Sequence, residues 1–324
     1  MLRKSLRKLA ALLLAGAVLG AGAQTPSFPS RPIKFIVPYA PGGLPDTVAR
    51  LLAQRLQAPL GQSVLVENRP GGSGAIAAAA ITQSPADGYT LLLTDGPMLV
   101  IAPFMTGKLG YDPAKDFAPV ALVGTAPLFL AVNPSVKANT LDELIALAKA
   151  KPGTLNYGSS GVGSIHQLTA EAMKEALGLQ ITHIPFKGSG ASMPALVGGQ
   201  VDMVFASPPA LMGFVDNRQA RLIAINAGQR SKLAPDIPAL SERIPGFDFA
   251  FTVVVLAKSG TPKEIVTRLQ QEISKIVRSP DMAEPLAKAG VDPVGGGPDE
   301  LAAAMRNEAQ RITKAAQHAG LKPE

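Results

Sequence analysis

The sequence predicts an α/β fold built from two lobes, and two observations lead to that prediction. Short runs of β-branched and apolar residues alternate with stretches of helical spacing, a pattern typical of mixed, mostly parallel sheets flanked by helices. The chain has 324 residues, of which 47% are hydrophobic. That is enough apolar material for two cores of ordinary domain size, so we expect two α/β lobes.

The boundaries of the elements follow from the same patterns. Two helices begin with a capping box, in which a threonine precedes a glutamate by three residues: Thr140 with Glu143, and Thr261 with Glu264. Pro262 is expected at the first position of the second helix. The predicted strands read mostly as buried runs, at residues 33–37, 64–67, 90–94, 128–132, 182–184, 201–205, 222–225 and 252–256.

The N-terminus has the pattern of a cleaved signal peptide, residues 1–23. Four basic residues within the first eight precede an apolar run at residues 9–19, and small residues surround the expected cleavage point after Ala23. The alternative is a membrane anchor, but a helical span needs about 20 apolar residues and this run is shorter. We therefore expect an exported product that begins near Gln24.

Composition excludes several classes of protein. The chain has no cysteine, which rules out disulfides, thiol nucleophiles and a lipid anchor at the cleavage point. The formal net charge is +7, but removal of the signal peptide leaves 27 basic and 24 acidic residues. No basic block remains, so we expect no binding to nucleic acid.

A first glycine-rich loop, residues 38–46, lies between the first predicted strand and a helix. Glycines let backbone N–H groups approach a ligand, and a helix N-terminus adds partial positive charge. This combination favours a carboxylate or a phosphate. A tight turn that needs glycine only for its geometry explains the loop equally well.

A second loop, residues 156–164, also precedes a helix and adds hydroxyl donors to the backbone amides. Ser159 and Ser160 are candidate ligand contacts, whereas Ser164 is also a natural helix cap. A third stretch, residues 185–190, contains Lys187, which either neutralises a bound anion or is a solvated loop lysine.

Motifs for catalysis are missing from the sequence. There is no Walker-type loop, dinucleotide fingerprint or Gly-x-Ser-x-Gly elbow. The three histidines, His166, His183 and His318, are scattered, although His166 follows the second loop closely. Neither a metal-site cluster nor an acid/base pair stands out. We therefore expect a binding protein without cofactor or metal, and a secreted hydrolase remains the less favoured alternative.

The ordered loops resemble the periplasmic receptors of tripartite tricarboxylate transporters, also called Bug-type receptors, over nearly the whole mature chain. The matching segments are RPIKFIVPYAPGG from Arg31, VLVENRPGGSG from Val64, PADGYTLLL from Pro85, YDPAKDFAPVALV from Tyr111, LAKAKPGTLNYGSSGVGS from Leu147, HIPFKGSG from His183 and GGQVDMVF from Gly198.

This resemblance implies a two-lobed receptor of the type II periplasmic class, in which the chain crosses twice between the lobes. With the strand runs, it divides the chain into a first lobe at 24–123 and 227–324 and a second lobe at 124–226. In such receptors the two glycine-rich loops hold a carboxylate from opposite lobes. Asp202 is either a cleft residue or a helix cap or hinge brace. The candidate ligand-binding residues, from the loops and the resemblance together, are Tyr39, Pro41, Gly42, Gly43, Leu44, Asp46, Thr94, Asp95, Ser159, Ser160, Gly161, Gly163, Ser164, Phe186, Lys187, Gly188, Asp202 and Ser207.

The sequence also departs from the family pattern. The family usually has glycine, serine or threonine where Leu44 and Pro45 stand, and Pro45 has no N–H to donate. Phe186 replaces the usual tyrosine. These changes indicate a less polar pocket, and we expect a ligand with one carboxylate and an apolar or aromatic remainder rather than citrate.

The resemblance implies a free, monomeric periplasmic receptor that delivers a small carboxylate to two integral membrane transporter subunits. An orphan receptor, or one that feeds a sensor, has the same expected fold and pocket, and the sequence does not separate these alternatives.

Overall fold

The computed structural model describes residues 28–39, 41–71, 74–105, 109–186, 189–231 and 234–321, so the predicted signal peptide lies outside the described residues. The strands in these ranges are β1 (Ile33–Val37), β2 (Val64–Asn68), β3 (Thr90–Asp95), β4 (Phe117–Ala126), β5 (Phe129–Val132), β6 (Asn156–Ser159), β7 (Thr182–Pro185), β8 (Met203–Ala206), β9 (Arg221–Ile225), β10 (Phe251–Lys258) and β11 (Asp292–Gly296).

Helices connect most of these strands. They are α1 (Leu44–Leu60), α2 (Ala75–Thr82), α3 (Gly96–Met105), α4 (Leu141–Ala150), α5 (Ile165–Leu177), α6 (Ser189–Val197), α7 (Pro208–Asp216), α8 (Lys263–Val277), α9 (Pro280–Lys288) and α10 (Pro298–His318).

The strands of the described residues form two separate mixed sheets. The first has the order β11-β4-β10-β3-β1-β2, and the second has the order β7-β6-β8-β5-β9. β1 pairs in parallel with β2 and β3, and β6 pairs in parallel with β7 and β8. β10 lies antiparallel between β3 and β4, and β5 lies antiparallel between β8 and β9. Most strands of each sheet therefore point the same way, so their carboxyl ends meet at one edge.

The chain passes between the sheets twice, and one buried side chain joins the two crossings. The first crossing lies between Ala126 and Phe129, and the second lies between β9 and β10. The Asn226 side chain accepts a hydrogen bond from the Leu128 N–H at 2.7 Å and donates one to the Phe249 carbonyl at 2.7 Å. Asn226 therefore fixes the two crossing strands to each other at the junction of the two sheets.

The predicted lobe boundaries fall close to these crossings. Residue 123 lies inside β4, and residue 226 lies just after β9. The segment that follows β9 stays with the second sheet, because the Ile225 N–H bonds to the Pro238 carbonyl at 2.9 Å and Ala239 belongs to that sheet's core. The second crossing is therefore a long segment that ends only near Ala250.

Apolar packing explains the arrangement of the layers. The β10 strand is buried along nearly its whole length, as a central strand covered on both faces should be. The C-terminal helix α10 also contacts the second lobe, where Ile312, Ala315 and Ala316 form a small core with Leu168 of α5. Burial of these side chains holds one face of each lobe against the other.

Several local predictions differ from the structure. β4 and β11 were not predicted, because prolines and glycines interrupt their apolar runs, and β6 was not predicted because its four residues include a glycine and polar side chains. The cap at Thr140 is confirmed, with the Glu143 N–H donating to Thr140 Oγ1 at 3.2 Å, but the Glu143 carboxylate accepts from the Asn139 N–H at 2.7 Å rather than from the Thr140 N–H that a capping box requires. The one at Thr261 is wrong: its hydroxyl donates to the Lys258 carbonyl, and α8 begins at Lys263 with Pro262 as its cap residue.

None of the helices in the described ranges is both long enough and apolar enough to cross a bilayer.

Candidate functional site

A cleft of about 980 Å³ lies between the two sheets, at the carboxyl ends of their parallel strands. This is where open α/β sheets normally bind ligands, because loops and helix N-termini meet there. The loops after β1, β2 and β3 line one wall, and the loops after β6 and β8 line the other. Leu128 and Phe251, from the two crossings, also line the cleft.

The first glycine-rich loop is held by the buried side chain of Asp46. Asp46 Oδ2 accepts hydrogen bonds from the Gly42 N–H at 2.9 Å and from Arg50 Nε at 3.0 Å. Asn68 donates to Asp46 Oδ1 at 2.9 Å and to the Tyr39 carbonyl at 3.0 Å. Burial opposes ionisation of Asp46, but the hydrogen bonds from Arg50, Gly42 and Asn68 hold its pKa below the usual value. Asp46 is therefore a fixed negative charge in the first turn of α1.

The second glycine-rich loop closes on itself. The Ser164 hydroxyl donates to the Gly161 carbonyl at 2.7 Å and accepts from the Gln167 N–H at 3.4 Å, which makes Ser164 the cap of α5. Gly161 and Gly163 have φ angles of 134° and 76°, in a region that side-chain-bearing residues rarely adopt. The loop geometry therefore depends on these two glycines.

Ser160 and His166 form the polar centre of this wall. Ser160 Oγ lies 2.7 Å from His166 Nδ1, and both residues line the cleft. Burial lowers the pKa of His166 to about 4, so the ring is neutral at pH 7. A neutral imidazole that carries its proton on Nδ1 donates to Ser160 Oγ and leaves the Ser160 hydroxyl proton free for a ligand.

Ser159 points away from the cleft, although it adjoins Ser160. Its hydroxyl donates to the Gly161 carbonyl at 3.0 Å and lies 2.7 Å from His183 Nε2. Phe186 packs beside Gly158 and against the second-lobe core. These side chains support the loop from behind.

The first-lobe wall also presents an acid. Asp95 Oδ1 accepts a hydrogen bond from the Met98 N–H at 3.0 Å, as a cap of α3, and the Tyr39 hydroxyl donates to the same carboxyl group. Burial raises the pKa of Asp95, and the hydrogen bond from Tyr39 partly offsets that shift. Both Tyr39 and Asp95 line the cleft.

A second acid, Glu308 of α10, lies behind Asp95. Its carboxyl oxygens bind the Thr252 N–H at 3.0 Å and the Thr252 hydroxyl at 2.6 Å, and the residue is 2% exposed. A Cβ atom at Gly96 would overlap Glu308 Oε2, so this position requires glycine. Burial raises the pKa of Glu308 to about 8, with a further contribution from the charge of Asp95.

The structure brings half of the predicted site residues to the cleft. Those that line it are Tyr39, Gly42, Gly43, Leu44, Asp95, Ser160, Gly163, Ser164 and Ser207. Ser207 caps α7 without a side-chain capping bond. Lys187 and Gly188 lie outside the described residues.

The remaining predicted residues are placed elsewhere. Pro41, Asp46, Thr94, Ser159, Gly161 and Phe186 adjoin the cleft without lining it. Asp202 is not brought to the cleft: its carboxylate accepts from the Asn156 N–H at 2.8 Å, at the amino ends of β6 and β8. The cleft is at the carboxyl ends of these strands, so Asp202 is a brace between them.

Part of the cleft lining was not predicted from the sequence. Pro70, Gly71 and Gly74 come from the loop after β2, and Met98 and Ile101 come from α3. The glycine run after β2 was a usable signal, because it follows a strand as the other two loops do. Lys288 also lines the cleft, and a lone lysine gives no such signal in sequence. His166 lines it too, and its position directly after the second loop was the signal that the sequence offered.

Among the described residues, no group of three or more histidine or acidic side chains is arranged to hold a metal ion.

Two mixed α/β sheets joined by two crossings, with a ligand-sized cleft between them, define a two-lobed periplasmic binding protein of type II. The family model described as the tripartite tricarboxylate transporter family receptor (TctC) matches residues 48–321. The chain therefore belongs to this family of periplasmic solute-binding receptors, and the predicted resemblance is confirmed.

Individual relatives agree with this membership. Protein BugT of Bordetella pertussis is 35% identical over 313 residues, which are 96% of this chain and 96% of that protein. The structure of R. palustris Rpa4515 with adipate has 34% identity and a TM-score of 0.81, over 92% of this chain and 100% of that chain. MatC (Rpa3494) from Rhodopseudomonas palustris with bound malate has 30% identity and a TM-score of 0.74, over 89% and 99% of the two chains.

Proposed function

We propose that this chain is an extracytoplasmic receptor that binds a small carboxylate-containing solute in the interlobe cleft and does not transform it. The observation that carries the proposal is the pair of glycine-rich loops, which face each other across the cleft from different sheets. The relatives whose structures contain adipate and malate support a carboxylate as ligand.

The second-lobe wall is the better anion site. The helices α5 and α7 both begin at this wall, and neither has an acidic residue in its first turn, but α7 begins with two prolines that have no N–H to donate. The N-terminus of α5 therefore contributes partial positive charge that no acidic side chain of its first turn cancels. The Ser160 hydroxyl, held by His166 Nδ1, adds a donor beside it. In this proposal Ser160 and the free backbone amides at the start of α5 contact the carboxylate.

Binding works by a shift between open and closed states. A solute that contacts both walls makes its full set of contacts only when the lobes close, so it favours the closed state by that difference in contacts. The two crossings joined by Asn226 are the natural hinge. We keep the predicted division into lobes at 24–123 with 227–324 and at 124–226, except that residues 227–250 are assigned to the second lobe, whose sheet and core they contact.

The proposal also covers export, oligomeric state and membrane partners. The signal peptide is cleaved after Ala23, and the mature receptor is a free periplasmic monomer without a lipid anchor. It delivers its solute to two integral membrane subunits of a tripartite transporter, which recognise the closed form. An orphan or sensor-coupled receptor has the same cleft and lacks only these membrane subunits.

Calorimetry on the mature protein tests this proposal. A panel of dicarboxylates, ω-amino carboxylates and monocarboxylates should include at least one saturable ligand, and the bound molecule should be recovered unchanged by mass spectrometry. If no member of the panel binds, the carboxylate site is refuted. If a bound ligand is recovered as a product, the protein is an enzyme and the receptor function is refuted.

A further inference from the structure

The charges that line the cleft are unequal between its two walls. Among the described lining residues, Asp95 is the single carboxylate, and Lys288 is the single lysine or arginine. Lys288 is paired with Glu284 at 2.7 Å, and both side chains are 76% exposed. The described lining therefore offers no unpaired cation, and its groups that can hold a carboxylate of the solute are amides, hydroxyls and a helix N-terminus.

The position of Asp95 is fixed by its neighbours. One oxygen caps α3 through the Met98 N–H, and the Tyr39 hydroxyl donates to the same carboxyl group. Neither neighbour carries a positive charge. Asp95 therefore lies at the cleft as an acid that accepts hydrogen bonds from the protein, but neither of these neighbours neutralises its charge.

Glu308, behind this wall, is mostly protonated at pH 7, because burial raises its pKa to about 8. Its carboxyl group is buried immediately behind Gly96, the residue that follows Asp95 in the chain. The negative charge at this wall is therefore that of Asp95, and it disfavours a second negative charge beside it, because like charges repel strongly where water is excluded. A positively charged group would instead favour the ionised form of Asp95.

Apolar side chains from both lobes also line the cleft. Met98, Ile101 and Ala102 come from the first lobe, and Val162, Pro209 and Ala210 come from the second. Such a lining suits a short hydrocarbon chain between two polar ends.

We propose that Asp95 is a specificity-determining residue, which makes the cleft selective for solutes that carry one carboxylate and, at the other end, an amino group. This inference rests on the proposed carboxylate receptor function. The carboxylate of the solute lies against the second-lobe wall at Ser160, and the ammonium group donates hydrogen bonds to Asp95. A solute with a second carboxylate places that charge against Asp95 and is rejected.

Matched pairs of solutes test the inference. Calorimetry at pH 7.5 compares succinate with 4-aminobutanoate, glutarate with 5-aminopentanoate, and adipate with 6-aminohexanoate. In the chain length that fits best, we expect the amino compound to bind at least about tenfold more tightly than its dicarboxylate partner, the scale of one well-placed charge contact.

The Asp95→Asn variant should reverse this preference. Asparagine keeps the side-chain oxygen that caps α3 and nearly the same volume, and its amide can donate to a carboxylate. We expect affinity for the best amino compound to fall at least about tenfold and affinity for its dicarboxylate partner to rise. Unchanged thermal unfolding would show that the fold is intact. Asp236→Asn, at an exposed position away from the cleft, is the matched control and should leave both affinities unchanged.

The outcomes separate the two proposals. Dicarboxylates that bind the unchanged protein as tightly as their amino partners overturn the role of Asp95 and leave the carboxylate receptor standing. An Asp95→Asn variant that keeps the original preference does the same. Binding of monocarboxylates alone likewise overturns the role of Asp95 and leaves the receptor standing, whereas failure of every carboxylate, monocarboxylates included, overturns the receptor function itself.

Discussion

The two walls of the cleft have the same local structure but opposite electrostatics. Each wall is a glycine-rich loop between a parallel strand and a helix. In the first lobe the helix N-terminus already holds the carboxylate of Asp46, and Asp95 adds a second acid at the cleft, with the protonated Glu308 behind it. In the second lobe α5 begins without an acid, and Ser160 and neutral His166 face the cleft.

This difference shows that a glycine-rich loop before a helix is not by itself an anion site. The partial positive charge of a helix N-terminus is available to a ligand only if no side chain has taken it. Arg50 pairs with Asp46, so the first loop is a rigid, closed unit. The first wall therefore shapes the cleft and selects among solutes, and the second wall binds the carboxylate.

The largest expected effect concerns the buried acid of the first lobe. The pKa of Glu308 is raised to about 8, so its proton is retained on folding between the unfolded pKa and pH 8. The free energy of unfolding should therefore fall as the pH rises through this range, by about 5 kcal/mol in total. Glu308→Gln should remove that loss, because glutamine stays neutral and can still bond to Thr252. Denaturant unfolding between pH 5 and 9 measures the effect.

Glu284→Gln is the control for this prediction, since Glu284 is an exposed acid outside the first-lobe wall. Its pH profile should match that of the unchanged protein. If the free energy of unfolding falls equally with pH in Glu308→Gln and in the unchanged protein, Glu308 is not a buried, protonated acid.

Next in size is the loss of the Ser160 hydroxyl from the second wall. A hydrogen bond to a charged group contributes about 1.5–3 kcal/mol, so Ser160→Ala should weaken carboxylate binding by about 10- to 100-fold. Ser159→Ala is the matched comparison, because the Ser159 hydroxyl faces His183 rather than the cleft. Calorimetry on both variants measures their affinities for a carboxylate, and we expect the larger loss in Ser160→Ala. A larger loss of affinity in Ser159→Ala would mean that the loop, rather than the Ser160 hydroxyl, makes the site.

A smaller effect is expected for Asp46, which should matter for stability more than for anion binding. Asp46→Asn removes the charge that Arg50 and the Gly42 N–H share, and should lower the free energy of unfolding by about 1–2 kcal/mol near pH 7. The pKa of Asp46 is below its usual value, so its contribution is present above the unfolded pKa and is lost as the pH falls through the folded value. The difference between variant and unchanged protein should therefore vanish in strong acid. A constant difference at every pH would refute the ionic explanation.

The smallest expected effect is at Pro45, in the first turn of α1. Pro45→Ala restores one backbone N–H at the first wall. Because Asp46 already occupies this N-terminus, affinity for a carboxylate should change by less than about threefold. A gain of tenfold or more, measured by calorimetry, would show that the first wall is an anion site of the same rank as the second.

Much of the fold was predictable because buried strands and capped helices leave local patterns. The predicted runs at residues 33–37 and 90–94 match β1 and β3 within a residue, and the Thr140 cap is as expected. β6 was not predicted, because its residues Asn156–Ser159 include a glycine and polar side chains that read as a loop. Its pairing with β7 and β8 supplies the hydrogen bonds that local propensity does not favour.

The candidate site was predictable only in outline. Ser160 and Ser159 are neighbours of the same type, and nothing local states that one faces the cleft and the other faces His183. Asp202 and Asp95 both adjoin strands, but only the direction of the strand decides which acid reaches the carboxyl edge.

The sequence by itself determined the family, the alternation of strands and helices, and the two glycine-rich loops. These features are carried by short, contiguous patterns of apolar spacing, caps and glycines. Only the tertiary structure decided the electrostatic difference between the walls. Asp46 and Asn68, Asp95 and Tyr39, and Glu308 and Thr252 are each far enough apart in the chain that folding alone places them together. Burial then sets their charges, since desolvation depends on the packed surroundings rather than on the residue type.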